Sequence, residues 1–327
     1  MSIHQPIIIL GAPRSGTTIL QRCLALHDDL WHLPGESHTV LEGPFHPVHS
    51  EYGSNRVTEY DCDDALIQRL RMQFYRRAVN LNAILVDPSK WFTGNGLLRR
   101  TLNKLVMLSL GGFSRLRKPE VIRLLEKTPK NALRLPALER LFPDALYIWN
   151  KRRPADNIDS LVAGWHAVDK LGPIVIRRRR FAQAGYPIAE QLALKDYSGR
   201  WWKFALVPGW RDLKSQTVAD VAAWQYYQCN RYILEDLQNM NVSEQRVFPV
   251  KHESFIEQPV KIVRQIVEWA NLPPCELVEQ FASVLPRVNE ANPQSNQEQR
   301  KLRYPNAVYA AMERLSDLES LRRLMGY

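Results

Sequence analysis

The sequence predicts an α/β fold, a P-loop-like parallel sheet flanked by helices. Three observations carry this. Short apolar runs at Ile7–Leu10, Val121–Glu126, Leu146–Trp149 and Val247–Lys251 read as strands. Stretches of helical periodicity separate them, and strands alternating with helices make crossovers that leave the strands parallel. The first run leads into a loop with two glycines, then into Ile19, Leu20, Cys23 and Leu24 at helical spacing. Strand, tight loop and helix aim free backbone N–H groups at an anion. Ligands of such sheets sit at the carboxyl ends of strands. The residues after Leu10, Leu125 and Trp149 are therefore expected to share one cleft.

The loop Gly11-Ala12-Pro13-Arg14-Ser15-Gly16-Thr17-Thr18 nearly spells the Walker A phosphate loop. Gly11, Gly16 and Thr18 fit. Thr17 stands where the lysine for the β- and γ-phosphates of a nucleoside triphosphate belongs. A kinase or NTPase lacking that lysine is the runner-up reading. A phosphate loop whose cation comes earlier, at Arg14, suits a different nucleotide.

A second motif lies at Leu146 to Ser160. The strand run ends in Lys151-Arg152-Arg153, and Pro154 suits the first position of a helix. Asp156 and Asp159 suit the positive end of that helix. A guanidinium at a strand end offers bidentate, charge-assisted bonds to phosphate.

With both motifs in order, the chain resembles the sulfotransferases that use 3′-phosphoadenosine 5′-phosphosulfate (PAPS). Pro13-Arg14-Ser15-Gly16-Thr17-Thr18 is similar to their first cofactor loop. Arg152, Pro154, Asp156 and Ser160 match their Arg-x-Pro-x-Asp-x-x-x-Ser pattern. The resemblance implies that Arg14, Ser15, Gly16, Thr17 and Thr18 hold the 5′ side of the donor. It implies that Arg152 and Ser160 hold its 3′-phosphate, with adenosine 3′,5′-bisphosphate as product. No metal is expected, because the donor is already activated. The late Arg-Lys-Gly segment of the cytosolic members is missing; Ser295, Lys301 and Arg303 lie in a polar loop that would substitute.

The tyrosylprotein sulfotransferases carry an arginine in the loop and a lysine after a central strand. On that resemblance Arg14 and Lys127 share transition-state charge, the other reading of Lys127 being a pair with Glu126. Tyrosylprotein and heparan-type enzymes place a catalytic glutamate after the first helix, which points to Glu36 as general base. His32 and His38 are rivals, since histidine is the base in cytosolic members. The expected activity is in-line transfer of a sulfuryl group from PAPS to a hydroxyl or amine, of EC 2.8.2 type.

The remaining elements read as scaffold. Ile84–Val86 is a fifth strand or a short helical stretch. Asn131 and Arg134 support the cleft. Residues 251–259 and the amphipathic run with Ile262, Ile266, Val267 and Trp269 form a late strand–helix unit. Met312, Leu315, Leu318, Leu321 and Leu324 read as a packing helix. Two helical insertions, about 91–120 and 161–228, would form an acceptor-side lid. The first mixes leucines with Arg99, Arg100, Lys104, Arg115, Arg117 and Lys118, which suits a peripheral membrane contact or an ordinary surface helix. The second gathers Trp165, Arg177 to Arg180, Tyr186, Tyr197, Trp201, Trp202, Trp210 and Trp224. Those aromatics are an acceptor pocket, a nucleic-acid surface or helix-interface packing.

One domain spanning 1–327 is expected. Net charge is +10 from 44 basic and 34 acidic residues, which favours anionic partners. A small-molecule, lipid or carbohydrate acceptor is expected and nucleic acid is not; oligomeric state is not legible. The four cysteines show neither paired nor zinc spacing. With no leader peptide or apolar span legible, the expected location is cytoplasmic.

Overall fold

The computed structural model describes residues 1–47, 53–80, 118–167, 185–285 and 301–327. The expectations for Ile84–Val86, for residues 91–117, for Arg177–Arg180 and for Ser295 lie outside the described residues.

The strands are β1 (Ser2–Ile3), β2 (Ile7–Leu10), β3 (Leu30–His32), β4 (Val121–Lys127), β5 (Leu146–Lys151), β6 (Gly185–Tyr186), β7 (Trp202–Lys203) and β8 (Val247–Lys251). β3, β4, β2, β5 and β8 lie side by side in that order, every pair parallel. β1 prolongs the edge of β2: Ser2 pairs with Val121 and Ile7 with Leu125. The first chain uses one residue more than β4 over this stretch. Gln5, at a φ of 41°, takes up the extra residue as a bulge. β6 and β7 form a separate antiparallel pair.

β2 is fully buried on both faces, which is why it reads as an unbroken apolar run. Alternation sends Ile7 and Ile9 to one side, against the helix Thr17–Leu24 and the helix Pro259–Trp269. Ile8 and Leu10 face the larger core on the other side, with Leu124, Trp165 and Trp202. In that core Trp165 meets Trp202 edge-on at 5.3 Å. Trp165, Trp202 and Tyr186 are wholly buried and Trp210 is nearly so. These aromatics are packing between the helices Pro154–His166 and Val218–Asn239 and the β6–β7 pair, and do not line an open groove.

Several elements differ from expectation: β1, β6 and β7 are short strands that were not expected, and β5 runs on from Trp149 to Lys151. β4 runs one residue further, so Lys127 is its last residue and is held by the ladder opposite Ile9. β3 is new; at three residues it is too short to show a period. The expected last helix is two, Pro305–Arg314 and Leu318–Leu324, and Leu324 is exposed while Leu318 and Leu321 are buried. Among the described residues no helix is long and apolar enough to cross a membrane.

Candidate active site

The register decides what surrounds the loop that follows β2. Ile9 pairs with Lys127 on one side and Leu10 with Trp149 on the other. The loop therefore emerges between the end of β4 and the Asn150–Arg152 end of β5. A Cβ at Gly11 would stand 2.7 Å from both the Asn150 carbonyl and the Ser15 hydroxyl, so only glycine fits there.

Three ties draw the loop carbonyls backwards. Asn157 Nδ2 donates to Pro13 O at 2.9 Å, Arg152 Nη1 to Arg14 O at 2.7 Å, and Asn150 Nδ2 to Ser15 O at 2.8 Å. Planar trans peptides then turn the N–H groups of Arg14 and Gly16 the opposite way. Arg14 and Gly16 have φ of 70° and 97°, the left-handed turns from which anion nests are built. The helix Thr17–Leu24 starts at Gly16 with no side-chain cap, leaving its first N–H groups to a ligand. The Ser15 hydroxyl is 1% exposed and has no hydrogen-bond partner among the described residues. A phosphate fits these donors. Thr18 is exposed at the mouth, whereas Thr17 is buried.

Basic groups converge on one flank. Arg14 Nε donates to Ser160 Oγ at 3.3 Å. Arg152 is nearly buried beneath the loop, its own carbonyl fixed by the Tyr226 hydroxyl at 2.8 Å. Arg303 joins them. Asp159 Oδ1 accepts from the backbone N–H groups of Arg303 and Tyr304 at 2.7 and 2.9 Å. Asp159 thus ties a late segment to the helix Pro154–His166, a use that its place near a helix start did not suggest. Partial desolvation and then the like charge of Arg303 push the Arg14 guanidinium below the ordinary arginine value. Three guanidiniums and a serine hydroxyl gathered here are an anion-binding arrangement.

The other flank holds a lysine–glutamate pair. Lys127 Nζ donates to Glu36 Oε1 at 2.6 Å, and the lysine side chain is 3% exposed. Its partner is Glu36, not Glu126. The Glu126 carboxyl turns inward to accept from Thr128 Oγ1 at 2.8 Å and Asn131 Nδ2 at 3.1 Å, and burial pushes it up. Thr128 Oγ1 also accepts from the Ser37 N–H at 2.8 Å. That staple fixes residues 36–37 beside 127–128. β3 delivers the segment, since Leu30 to His32 pair with Arg123 to Leu125.

Glu36 Oε2 accepts from His38 Nε2 at 2.8 Å. Burial alone would raise the Glu36 carboxyl; the His38 hydrogen bond and Lys127 outweigh it and hold it at about 2. Of the two candidate histidines only His38 meets this pair. His32 is a buried β3 residue bonded through Nδ1 to Leu33 O at 2.8 Å, and burial pushes its ring down.

Sequence reading missed two features. His252, taken as scaffold, lies on Gly16: a Cβ there would stand 2.3 Å from its Nδ1 and 2.4 Å from its Cε1, too close for any side chain. Glu42 is a buried carboxylate whose Oε1 meets Lys130 Nζ at 2.7 Å, Tyr186 Oη at 3.1 Å and Arg134 Nη2 at 3.3 Å. No motif marks either position. Lys301, offered as a phosphate partner with Arg303, is exposed, and among the described residues no contact ties it to this flank.

Phosphate loop, guanidinium cluster and carboxylate–lysine pair sit together at the carboxyl ends of β2, β4 and β5, an arrangement suited to an anionic ligand. A family model described as the sulfotransferase family matches residues 6–172, just over half of the sequence, and the chain belongs to that family. A search of curated proteins finds no match. Similar solved structures include sulfotransferase STF9 from Mycobacterium avium, at 16% identity over 98% of this chain and 77% of that one, with a TM-score of 0.48. They also include the sulfotransferase domain of the Synechococcus PCC 7002 olefin synthase, at 16% over 99% and 96%, TM-score 0.45. A sulfotransferase from Alicyclobacillus acidocaldarius stands at 14% over 98% and 99%, TM-score 0.40.

Proposed function

We propose that the protein transfers a sulfuryl group from PAPS to a hydroxyl or amine acceptor, with Glu36 as general base and Arg14 and Lys127 stabilising the transition state. The observation that carries this is the Lys127–Glu36 pair at 2.6 Å, set beside a phosphate loop whose lysine position holds Thr17. PAPS, when bound, supplies an activated sulfuryl group and leaves as adenosine 3′,5′-bisphosphate. Ser15, Gly16, Thr17 and Thr18 hold its 5′-phosphate through N–H groups and hydroxyls. Arg152, Ser160 and Arg303 would hold the 3′-phosphate, and His252 packs on the loop at Gly16.

The resting pair explains how the base is restrained. While Lys127 sits on Oε1 and His38 on Oε2, Glu36 has no free oxygen and little basicity. Charge developing on the leaving phosphate draws Lys127 toward it. Oε1 is then open to accept the proton of the acceptor.

Binding of adenosine 3′,5′-bisphosphate and of 5′-AMP to wild-type and Arg152→Ala protein tests the reading. Wild type should prefer the bisphosphate by 10²-fold or more, and the variant should lose most of that preference while keeping its far-ultraviolet spectrum. Equal affinity of the wild type for both nucleotides would overturn the 3′-phosphate assignment.

A further inference from the structure

Glu36 is held from two sides, and its second holder has no part in the reaction as derived so far. His38 opens the short helix His38–Leu41 and reaches back through Nε2 to Glu36 Oε2 at 2.8 Å. Its other nitrogen, Nδ1, stands 3.3 Å from Glu42 Oε1, off the line of a hydrogen bond. The imidazole therefore bridges two carboxylates.

The far carboxylate is buried and held from several sides. Glu42 has no exposed side-chain surface. Lys130 binds it at 2.7 Å, Arg134 at 3.3 Å and the Tyr186 hydroxyl at 3.1 Å. Tyr186 in turn receives Lys130 at 2.7 Å and Asn55 Nδ2 at 2.6 Å. Three elements converge here: the segment after β4, the β6–β7 pair and residue 55. Burying one carboxylate with two strong cations is costly in desolvation, so a hydrophobic core has no need of it. A fixed charge, however, makes a rigid backstop for an imidazole.

The near carboxylate needs such a backstop. About a third of the Glu36 side chain is open to solvent. Once Lys127 turns toward the leaving group, a free glutamate would sample several rotamers. We propose that His38 is a positioning residue that holds Glu36 Oε2, so that Oε1 stays aimed at the acceptor when Lys127 departs, with Glu42 anchoring the imidazole. The proposal rests on Glu36 being the base. The charged groups facing His38 are Glu36 from the preceding loop and Glu42, which caps the end of its own helix. Lys127, Lys130 and Arg134 lie behind them.

The test measures release of adenosine 3′,5′-bisphosphate from PAPS, with 4-nitrophenol as probe acceptor and with water alone. It compares wild type, His38→Ala, His38→Gln, Glu36→Gln and the double variant Glu36→Gln/His38→Ala. His38→Ala should lower kcat 10- to 50-fold with bisphosphate affinity within twofold of wild type. Its acid limb in the kcat–pH profile should rise by about one pH unit, because Glu36 loses a donor. His38→Gln, whose amide can still donate, should restore most of kcat. In the Glu36→Gln background, removing His38 should change kcat less than twofold.

If Glu36→Gln is severely impaired but His38→Ala keeps the wild-type kcat and pH limb, the role of His38 falls and the base assignment stands. A lowered Tm with the pH limb in place would also overturn it, since that is what a merely structural histidine gives. If Glu36→Gln keeps kcat within threefold, or wild type releases no bisphosphate, the base assignment falls and the proposal falls with it.

Discussion

Replacing Lys127 by methionine separates what this residue does for the reaction from what it does for the fold. Methionine keeps an unbranched stem of similar length and removes the charge. Two stability effects oppose each other: an ion pair at 2.6 Å is lost, and an ammonium that is 3% exposed no longer has to be desolvated. The lost part can be sized. Holding the Glu36 carboxyl at about 2 instead of the ordinary 4.5 corresponds to roughly 3 kcal/mol of interaction with the ionised form. His38 shares that with Lys127, and a third of the Glu36 side chain is exposed, so screening leaves Lys127 about 1 kcal/mol. The relieved desolvation is of the same size or larger, so Tm should move by no more than about 3 °C. Activity should respond differently, because removing a group that meets transition-state charge costs about 10²–10³ in kcat. Bisphosphate affinity should change less than threefold, since Arg152, Ser160 and Arg303 lie on the other flank of the loop. Single-turnover kinetics with labelled PAPS, nucleotide titration calorimetry and a thermal melt read the three quantities. A kcat within threefold of wild type would refute the reasoning, as would a loss of bisphosphate affinity equal to the loss of kcat.

Other perturbations follow from the same geometry. Arg303→Ala and Asp159→Ala should weaken bisphosphate binding by similar factors of about 10, and the double variant should lose little more, because Asp159 acts by placing residue 303; independent losses in titration calorimetry would contradict this. Gly16→Ala should abolish nucleotide binding, since φ is 97° and the new methyl collides with His252; bisphosphate affinity within threefold of wild type would show that the loop has other freedom. The depressed Glu36 carboxyl stabilises the fold fully above its unfolded value near 4.5, and that contribution is lost as pH falls toward about 2. Wild type should therefore lose about 1 kcal/mol between pH 5 and pH 3 relative to Glu36→Gln after allowance for screening, measured by urea denaturation; parallel curves would show that Glu36 is not held as described.

Local signals made the scaffold legible. β2 is buried on both faces and therefore appears as Ile7-Ile8-Ile9-Leu10 with no polar interruption, and the loop after it shows its glycines because Gly11 has no room for a methyl group. β3 left no such mark: three residues show no alternation, and their pairing is fixed by β4, far along the chain. The site divides in the same way. Arg14, Lys127 and Glu36 could be picked by position after strands and helices, but the contact between Lys127 and Glu36 depends on the Ser37–Thr128 staple. Arg303 was only one of several basic residues in a polar stretch until Asp159 tied it down. His252 and Glu42 matter through what they pack against, and no spacing rule encodes that.

The most direct test of the account is a thermal-shift titration with adenosine 3′,5′-bisphosphate beside ATP–magnesium. If the arginines hold a 3′-phosphate as proposed, a chain whose loop lacks the lysine should be stabilised by the bisphosphate at micromolar concentration, and little by ATP–magnesium. Stabilisation by ATP–magnesium alone would contradict the account and make the chain a triphosphate-binding protein. No shift with either nucleotide would mean that the loop at Arg14 does not hold the donor.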